Sequence, residues 1–254
     1  TEEFMRTVKF FRDHEKSFQF FRAFLTENFD LAEPETTEEN FAVYCESILS
    51  ENKKYNLTSL KRGEEVFEIL FLDTLMPFTF LKKFKKGDKV IDIGAGAGIP
   101  GLVLALVFPD TEFCLVDATR KKCQFMEKMA GEFNLKNVKV HLGRAEEAGQ
   151  DPSLREKFDF GLARSLAQLN ILFEYVMPFL KKGGYCYAYK GKVTSLEITR
   201  GEGALMELCG EIQNQESYIL PFSAKQRSMV TAQKTGTCPE KYPRRTGIPK
   251  KRPL

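Results

Sequence analysis

Histidines and closely spaced cysteines are scarce in this sequence, and their scarcity excludes two common kinds of site. The 254 residues include two histidines and six cysteines, and no two of the cysteines form a Cys-x-x-Cys pair. The sequence therefore predicts neither a zinc site nor a disulfide framework. We expect reduced thiols that are mostly buried, and no bound metal.

Long apolar runs are also missing. No segment reaches the roughly 20 apolar residues that a membrane-spanning helix needs, and no basic segment followed by an apolar one opens the sequence. We therefore expect a cytoplasmic protein without membrane contact. The length suits one large domain, or one domain with a small appendage, and an apolar content of 43% is ample for a core.

Charge is distributed unevenly, although the net charge is only +3. Residues 30–51 contain seven acids and no base, whereas residues 241–254 contain six bases and no acid. This asymmetry indicates that the C-terminal segment faces a polyanion and that the acidic stretch does not. A solvated basic tail without a partner is the alternative interpretation.

The first 86 residues have helical rather than strand periodicity. Apolar residues three, four or seven positions apart predict an amphipathic first helix with a face formed by Phe4, Val8, Phe11, Phe18, Phe21 and Leu25. A second helix, with Thr36 or Thr37 as its N-cap, is predicted to bury Phe41, Tyr44, Ile48 and Leu49. A third helical stretch runs from residue 64 to 81 with a break at Pro77. We expect residues 1–86 to form a helical region beside a sheet domain.

The chain centres on residues 90–101, where an apolar strand runs into a glycine-rich turn and then into a helix. Gly94, Gly96 and Gly98 allow the backbone to turn tightly, with no Cβ between it and a ligand. Pro100 suits the first turn of a helix over residues 101–108 because it lacks an N–H group and has a preset φ. In doubly wound α/β folds this arrangement turns the free amides at a helix N-terminus toward a nucleotide.

Two registers of these glycines point to different ligands. Counting from Gly96, the residues match the dinucleotide pattern G-x-G-x-x-G, which is a weak signal as an isolated match. Counting from Gly94, Asp92 and the following G-x-G-x-G are similar to the first motif of the S-adenosylmethionine (SAM) methyltransferases. In that register Asp92 is a buried carboxylate, kept ionised by loop amides or by the ammonium group of the ligand. A turn that binds no ligand is a third possibility, but four glycines in eight residues are costly to fold.

From residue 88 the pattern alternates between strand and helix, which predicts a parallel sheet with crossover helices. Strands are predicted over residues 90–93, 112–116, 138–142, 158–163 and 185–191, with a turn at 181–184. Helices are predicted over residues 101–108, 120–135 and 169–180. A helix at 194–209 and two strands at 218–220 and 229–233 complete a domain that we place at residues 87–236.

Polar residues follow the predicted strand ends, which lie at one edge of a parallel sheet. Asp117 ends the second strand, where an acid accepts both ribose hydroxyls of an adenosine; a surface acid without a role is the alternative. The amides of Ala145 and Glu146 follow the third strand and are candidates for reading the base edge, although a helix start beside a favourable dipole explains the acid equally well. Arg164 and Lys190 end the fourth and fifth strands, and an arginine there can hold a carboxylate or phosphate.

Residues 237–254 form a basic segment rich in proline. The prolines predict that it contains no regular helix or strand. Basic side chains interleaved with Tyr242 make an extended arm suited to phosphates and to a stacked base.

Six segments together resemble the RsmG (GidB) methyltransferases. They are Asn56-Leu-Thr-Ser59, Asp92-Ile-Gly-Ala-Gly-Ala-Gly-Ile-Pro-Gly101, Arg144-Ala-Glu-Glu147, Ala163-Arg-Ser165, Tyr189-Lys-Gly191 and Tyr242-Pro-Arg-Arg-Thr-Gly-Ile-Pro-Lys-Lys-Arg-Pro-Leu254. The resemblance runs from about residue 20 to the C-terminus and is most specific in the tail. It implies a Rossmann-like SAM-dependent methyltransferase fold, with a mostly parallel seven-stranded sheet and an N-terminal helical cap. It also implies methyl transfer from SAM to N7 of a guanine in small-subunit (16S) ribosomal RNA.

The resemblance also implies site residues. SAM contacts fall on Gly94, Ile99, Ala145, Glu146 and Arg164, and the strand-end argument adds Gly96, Gly98 and Asp117 to the predicted cofactor site. The predicted RNA-binding residues are Lys190, Arg244, Arg245, Lys250, Lys251 and Arg252. Arg164 and Lys190 are the candidates for positioning the substrate, and no residue is assigned to the chemical step. The expected partner is 16S ribosomal RNA or the small ribosomal subunit, and the expected state is a monomer.

The sequence departs from the family pattern at two positions. Glu51 stands where the family often has a Trp, and Leu70 stands where it usually has a His three residues before an Asp-Ser, here Asp73-Thr74. The second difference means that this chain has no His at that position for RNA contact, and it leaves the predicted SAM site unchanged.

Guanine N7 presents a lone pair in the plane of the ring, so its methylation needs no general base, only alignment of the reacting atoms. The sequence accordingly has no Asn/Asp-Pro-Pro-Tyr motif and no Pro-Cys pair. Two alternatives remain: a nicotinamide-dependent oxidoreductase, which lacks a convincing acid or base for hydride transfer, and an RNA-binding module without catalysis.

Overall fold

A computed structural model of the protein describes residues 15–254. In this part of the chain seven strands form one sheet in the order β3-β2-β1-β4-β5-β7-β6. The strands are β1 (Lys89–Ile93), β2 (Glu112–Asp117), β3 (Val138–Leu142), β4 (Phe158–Arg164), β5 (Leu180–Lys190), β6 (Gly210–Ile219) and β7 (Gln226–Lys234). Strands β1 to β5 pair in parallel, and β7 is antiparallel to both neighbours. The predicted mostly parallel seven-stranded sheet is confirmed.

The strand register brings the predicted ligand-facing strand ends together. Ile93 of β1 is paired with Val116 of β2 on one side and with Ala163 of β4 on the other. The chain moves outward from β1 to β2 and β3, then returns to β4 on the opposite side. The crevice at such a reversal, outside the carboxyl ends of the strands, is where open α/β sheets bind ligands.

The last two strands are longer than predicted. Strand β6 is an edge strand with mostly exposed, polar side chains, so it lacks the apolar alternation that reveals a strand in a sequence. The predicted turn at residues 181–184 lies inside β5, where a shift in register relative to β4 and a φ of +84° at Gly183 accommodate it.

Helices cover both faces of the sheet. The longer ones are α5 (Gly101–Val107), α6 (Arg120–Glu132), α8 (Leu169–Val176) and α9 (Ser195–Leu208), and the short ones are α7 (Ala145–Ala148) and α10 (Ile248–Lys251). A 3₁₀ turn at Met177–Phe179 leads from α8 into β5. All seven residues of α5 are buried because this helix lies between the sheet and the N-terminal helices.

The N-terminal helices are α1 (Glu15–Asn28), α2 (Pro34–Asn52), α3 (Gly63–Glu65) and α4 (Asp73–Leu75), with a π-helix at Val66–Leu72 and a 3₁₀ turn at Met76–Thr79. The predicted apolar positions Phe18, Phe21 and Leu25 are buried, whereas Phe4, Val8 and Phe11 lie outside the described residues. The predicted cap of α2 is wrong. This helix begins at Pro34, whose fixed φ suits a first turn, and the Thr37 hydroxyl donates to the Glu33 carbonyl instead.

Aromatic side chains join the N-terminal helices to the sheet domain. Phe41, Tyr44 and Ile48 are fully buried as predicted, and Leu49 is half-buried. Ring centroids of Phe41 and Phe71 lie 5.1 Å apart, within the edge-to-face and tilted range that favours aromatic pairs. The helical region and one face of the sheet therefore share a single apolar core.

Candidate functional site

The glycine loop after β1 has a backbone conformation that favours glycine. Gly94, Gly96 and Gly98 have φ values of +75°, +62° and +83°. A Cβ at Gly98 would lie 2.4 Å from Cδ1 of Leu102 and 2.7 Å from the Tyr44 hydroxyl oxygen. Both conformation and space therefore require glycine at position 98.

Neighbouring elements hold this loop in place. The amides of Gly94 and Ala95 donate to the Val116 carbonyl oxygen at 2.8 and 3.1 Å. The Gly96 amide donates to Oδ2 of Asp117 at 3.0 Å, and the Thr119 amide donates to Oδ1 at 2.8 Å. Asp117 thus lies against the glycine loop, where it was predicted, and each of its carboxylate oxygens has a second lone pair for a hydroxyl donor.

Asp92 carries an unsatisfied acceptor beneath the loop. Asp92 is 1% exposed, and its Oδ2 accepts a hydrogen bond from the Gly101 amide at 2.8 Å. Its Oδ1 is buried and has no hydrogen-bond partner among residues 15–254. Burial raises the pKa of this carboxyl to about 7. The hydrogen bond from the Gly101 amide lowers the pKa, and the nearby Asp117 carboxylate raises it further. A buried acceptor of this kind suits a cationic or hydroxyl donor.

The predicted base-reading residues begin helix α7, directly after β3. Ala145 is half-buried and Glu146 is buried. Oε1 of Glu146 accepts a hydrogen bond from the Gly247 amide at 3.0 Å. This contact with the C-terminal segment was not expected from the sequence.

Arg164 ends β4 as predicted, but its guanidinium group is used inside the protein. It donates to Oδ2 of Asp73 at 2.8 Å, to the Thr74 hydroxyl at 3.1 Å, and to the carbonyl oxygens of Ile69 and Leu70. Arg164 therefore does hold a carboxylate, but one that belongs to this chain. No pattern in the sequence predicts that residues 69–74 lie across the end of β4.

Asp73 also contacts a second arginine, which the sequence analysis did not predict. Arg227 donates from Nε to Oδ2 of Asp73 at 2.8 Å, and the Tyr218 hydroxyl donates to Oδ1 at 2.7 Å. Because two guanidinium groups share one carboxylate, the cluster carries a net positive charge. No motif or spacing in the sequence connects residue 227 with residue 73.

A cavity of about 370 Å³ adjoins this cluster. Its lining includes Thr58, Ser59, Arg164, Ser165, Tyr189, Lys190, Gly191 and Arg227. Lys190 donates to the Ala167 carbonyl oxygen at 2.7 Å and forms an ion pair with Glu197 at 2.8 Å. The predicted strand-end pair Arg164 and Lys190 is thus brought together, beside the loop that contains residues 58 and 59.

Leu70 also lines this cavity. One of the two positions at which the sequence departs from the family pattern therefore lines the same cavity as Arg227. The apolar side chain leaves recognition in this wall to the neighbouring cations and hydroxyls.

The C-terminal segment is not the extended arm that its composition predicted. It contains a short helix, α10, because prolines are tolerated in a first helical turn, and Pro249 lies there. Arg244, predicted to contact RNA, donates from Nε and Nη2 to the fully buried carboxylate of Glu174. The other four predicted basic residues of the segment are exposed: Arg245, Lys250, Lys251 and Arg252.

Residues 15–254 contain no group of three or more His, Cys, Asp or Glu side chains arranged to hold a metal ion. The helices within these residues are also too short or too polar to span a membrane.

Comparisons with known proteins agree on one family. The GidB model, described as rRNA small subunit methyltransferase G, matches residues 37–230. Ribosomal RNA small subunit methyltransferase G of Lactobacillus acidophilus is 36% identical over 228 residues, which cover 89% of this chain and 94% of the relative. The protein of the same name from Thermoanaerobacter pseudethanolicus is 39% identical over 218 residues, which cover 85% and 90%.

Among solved structures, a mutant of MtNAS aligns with a TM-score of 0.51 and 13% sequence identity. The alignment covers 79% of this chain and 76% of that one. At this identity the likeness concerns the fold.

Proposed function

Because the chain belongs to the rRNA small subunit methyltransferase G family, we propose that this SAM-dependent rRNA methyltransferase methylates N7 of a guanine in 16S ribosomal RNA. The observation that carries the proposal is the juxtaposition of two features at the carboxyl ends of β1, β4 and β5. One is the glycine loop with the acceptors Asp92 and Asp117, and the other is the cationic cavity beside Arg227.

The acceptors and amides beside the glycine loop fit SAM. Oδ1 of Asp92 is buried and unpaired, so it can accept a hydrogen bond from the ammonium group of SAM. Asp117 is placed to accept ribose hydroxyls, and Gly94, Gly96, Gly98 and Ile99 form the loop over which the ligand lies. Ala145 and Glu146 complete the proposed site on the adenine side. When bound, SAM supplies an electrophilic methyl group on a sulfonium centre.

The chemistry of the cavity fits a nucleophile that needs no deprotonation. The carboxylate in its lining, Asp73, is paired with Arg164 and Arg227. A second carboxylate, Glu197, is paired with Lys190, which also lines the cavity. Both carboxylates already accept hydrogen bonds from these cations, so neither stands free in the cavity as a general base. The protein therefore acts by holding the guanine in line with the methyl group, since the N7 lone pair attacks without losing a proton.

The geometry also divides the roles of the cations. Arg164 holds residues 69–74 against the strand end, because four acceptors of that segment occupy its donors. Arg227 keeps its Nη2 without a hydrogen-bond partner among the described residues and lines the cavity. We therefore assign contact with the RNA at this site to Arg227 and Lys190. We assign phosphate contacts farther out to Arg245, Lys250, Lys251 and Arg252.

Two measurements test the proposal. Calorimetric titration with SAM, and separately with NAD, should give binding of SAM alone; binding of NAD alone would replace the proposal with the oxidoreductase alternative. The protein should then be incubated with SAM and either free 16S ribosomal RNA or small subunits that lack the modification. Methylation at N7 should make the RNA cleavable by borohydride and aniline at one guanine. SAM binding without any such cleavage would exclude N7 as the target. Gel filtration tests the monomeric state that we propose.

A further inference from the structure

Within the C-terminal segment, residues 238–254 are anchored on the sheet domain, and Arg155 of the β3–β4 connection makes several of these contacts. Arg155 donates from Nη1 to the carbonyl oxygens of Gly149 and Tyr242 at 3.0 and 2.6 Å. From Nη2 it donates to the carbonyl oxygens of Cys238 and Pro239 at 2.9 and 3.1 Å. One side chain thus binds three carbonyls of the segment, which fixes its path over the domain.

Arg244 fixes the middle of the segment to helix α8. Its backbone amide, Nε and Nη2 donate to the Glu174 carboxylate at 2.9, 2.8 and 2.6 Å. The Glu174 side chain is 0% exposed, so this carboxylate depends on Arg244 for its charge pairing. The segment is therefore an integral part of the domain at this point.

The next residues of the segment contact the cofactor side of the domain. Gly247 donates its amide to Glu146 at 3.0 Å, and the Thr246 hydroxyl donates to Glu147 at 3.2 Å. Both acids belong to α7, which begins with the residues proposed to contact adenine. A displacement of the segment would consequently remove the Gly247 amide from the Glu146 carboxylate.

The opposite face of the same segment is strongly basic. Arg245, Lys250, Lys251 and Arg252 are exposed, and none of them forms an ion pair with a residue that the structure describes. Four like charges within eight residues repel one another, and a row of phosphates would neutralise them. RNA whose phosphates contact these side chains in their docked positions stabilises the docked form of the segment.

We propose that residues 238–254 couple RNA binding to cofactor binding. RNA phosphates on the outer face stabilise the docked segment. Arg244 fixes that segment to Glu174, and its Gly247 amide holds Glu146. This inference rests on the proposed function, because it takes the polyanion to be the RNA and the ligand beside Glu146 to be SAM. Since coupling between two sites is reciprocal, each ligand raises the affinity for the other by the same factor.

The wild-type protein provides the first test. Calorimetry with S-adenosylhomocysteine, which has no methyl group to transfer, measures cofactor-site affinity with and without saturating 16S ribosomal RNA. We expect the RNA to increase this affinity about fivefold or more. Equal affinities in the two titrations would overturn the coupling and leave the methyltransferase function intact, whereas no binding of SAM or S-adenosylhomocysteine in either titration would overturn both.

Two variants separate the faces of the segment. The outward variant, Lys250→Glu with Lys251→Glu and Arg252→Glu, should bind S-adenosylhomocysteine normally without RNA and lose both RNA affinity and the coupling. The inward variant, Arg244→Ala, should bind S-adenosylhomocysteine several-fold more weakly even without RNA, and Arg244→Lys should recover part of the affinity. Outward variants that keep the wild-type coupling would contradict the proposal.

A matched control carries the same charge changes elsewhere. Lys85→Glu with Lys86→Glu and Lys182→Glu lies near the opposite ends of the strands, in exposed positions. It should keep the coupling. Thermal unfolding of every variant identifies any that does not fold, and a folded Arg244→Ala protein with wild-type cofactor affinity would refute the role of the inward contact.

Discussion

The hydroxyl group of Tyr44 in helix α2 donates a buried hydrogen bond to the carbonyl oxygen of Ala97 in the glycine loop, at 2.5 Å. The two residues are 53 positions apart, and Tyr44 is fully buried among Phe71, Phe125 and Phe133. Burial raises the pKa of this hydroxyl well above its ordinary value, so it remains a donor at any physiological pH. The N-terminal helical region therefore shapes the cofactor loop directly.

Replacing Tyr44→Phe removes this hydrogen bond and leaves the Ala97 carbonyl oxygen without the donor. We expect the free energy of unfolding to fall by about 1–3 kcal/mol, the usual cost of an unsatisfied buried polar group. We also expect SAM affinity to fall several-fold. Urea unfolding and calorimetry measure the two effects. Tyr185→Phe is the matched control, because the Tyr185 hydroxyl makes no hydrogen bond with any described residue.

The substitution Gly98→Ala tests the space and conformation of the glycine loop. The added Cβ meets Leu102 and Tyr44, and the φ of +83° is unfavourable for alanine. We expect a loss of roughly 2 kcal/mol or more in stability, with loss of measurable SAM binding. Gly203→Ala, in helix α9 with open space around it, should instead raise stability by up to about 1 kcal/mol. Normal SAM binding by Gly98→Ala would show that the loop tolerates a side chain.

The two arginines on Asp73 should differ in their effects. Arg164→Ala breaks a buried ion pair and several hydrogen bonds, so we expect stability to fall by roughly 3 kcal/mol or more. Arg227→Ala should cost less stability and should weaken RNA binding. The slope of log affinity against log salt concentration should fall by about one, the contribution of a single phosphate contact. RNA binding as a function of salt concentration distinguishes the two roles. An unchanged salt slope for Arg227→Ala would assign this residue a structural role.

The raised pKa of Asp92 predicts a dependence on pH. Its folded value of about 7 exceeds the ordinary 3.8, so the folded protein binds this proton more tightly than the unfolded chain does. The resulting stabilisation is complete below the ordinary value and disappears as the pH rises through 7. Because a cationic ligand favours the ionised carboxylate, SAM affinity should rise over the same interval.

Asp92→Asn is the control for this prediction, since it keeps the shape and removes the ionisation. We expect its stability to vary less with pH than that of the wild type between pH 4 and 8, and its SAM affinity to be weaker and nearly independent of pH. Calorimetry and thermal unfolding across this range provide the measurements. Parallel pH profiles for the two proteins would place the titration on another group.

The sequence by itself determined the parts of this protein that depend on contiguous residues. The glycines at 94, 96 and 98 reveal a tight turn because their backbone conformation excludes side chains, and β3 was predicted with its observed bounds because its apolar residues alternate. Asp117 is the last residue of β2 and lies beside the glycine loop because the ends of parallel strands meet at one edge. These features result from local geometry, which a sequence pattern records.

Only the tertiary structure decided which partners the charged side chains have. Arg164 lies 91 residues from Asp73, and Arg227 lies 154 residues from it, so no local pattern predicts that both guanidinium groups bind one carboxylate. Composition likewise predicted an extended basic arm for phosphates, whereas Arg244 is bound to a buried glutamate 70 residues away. An ion pair depends on which surfaces meet after the chain has folded, and the same basic residue contacts RNA or the protein interior according to that packing.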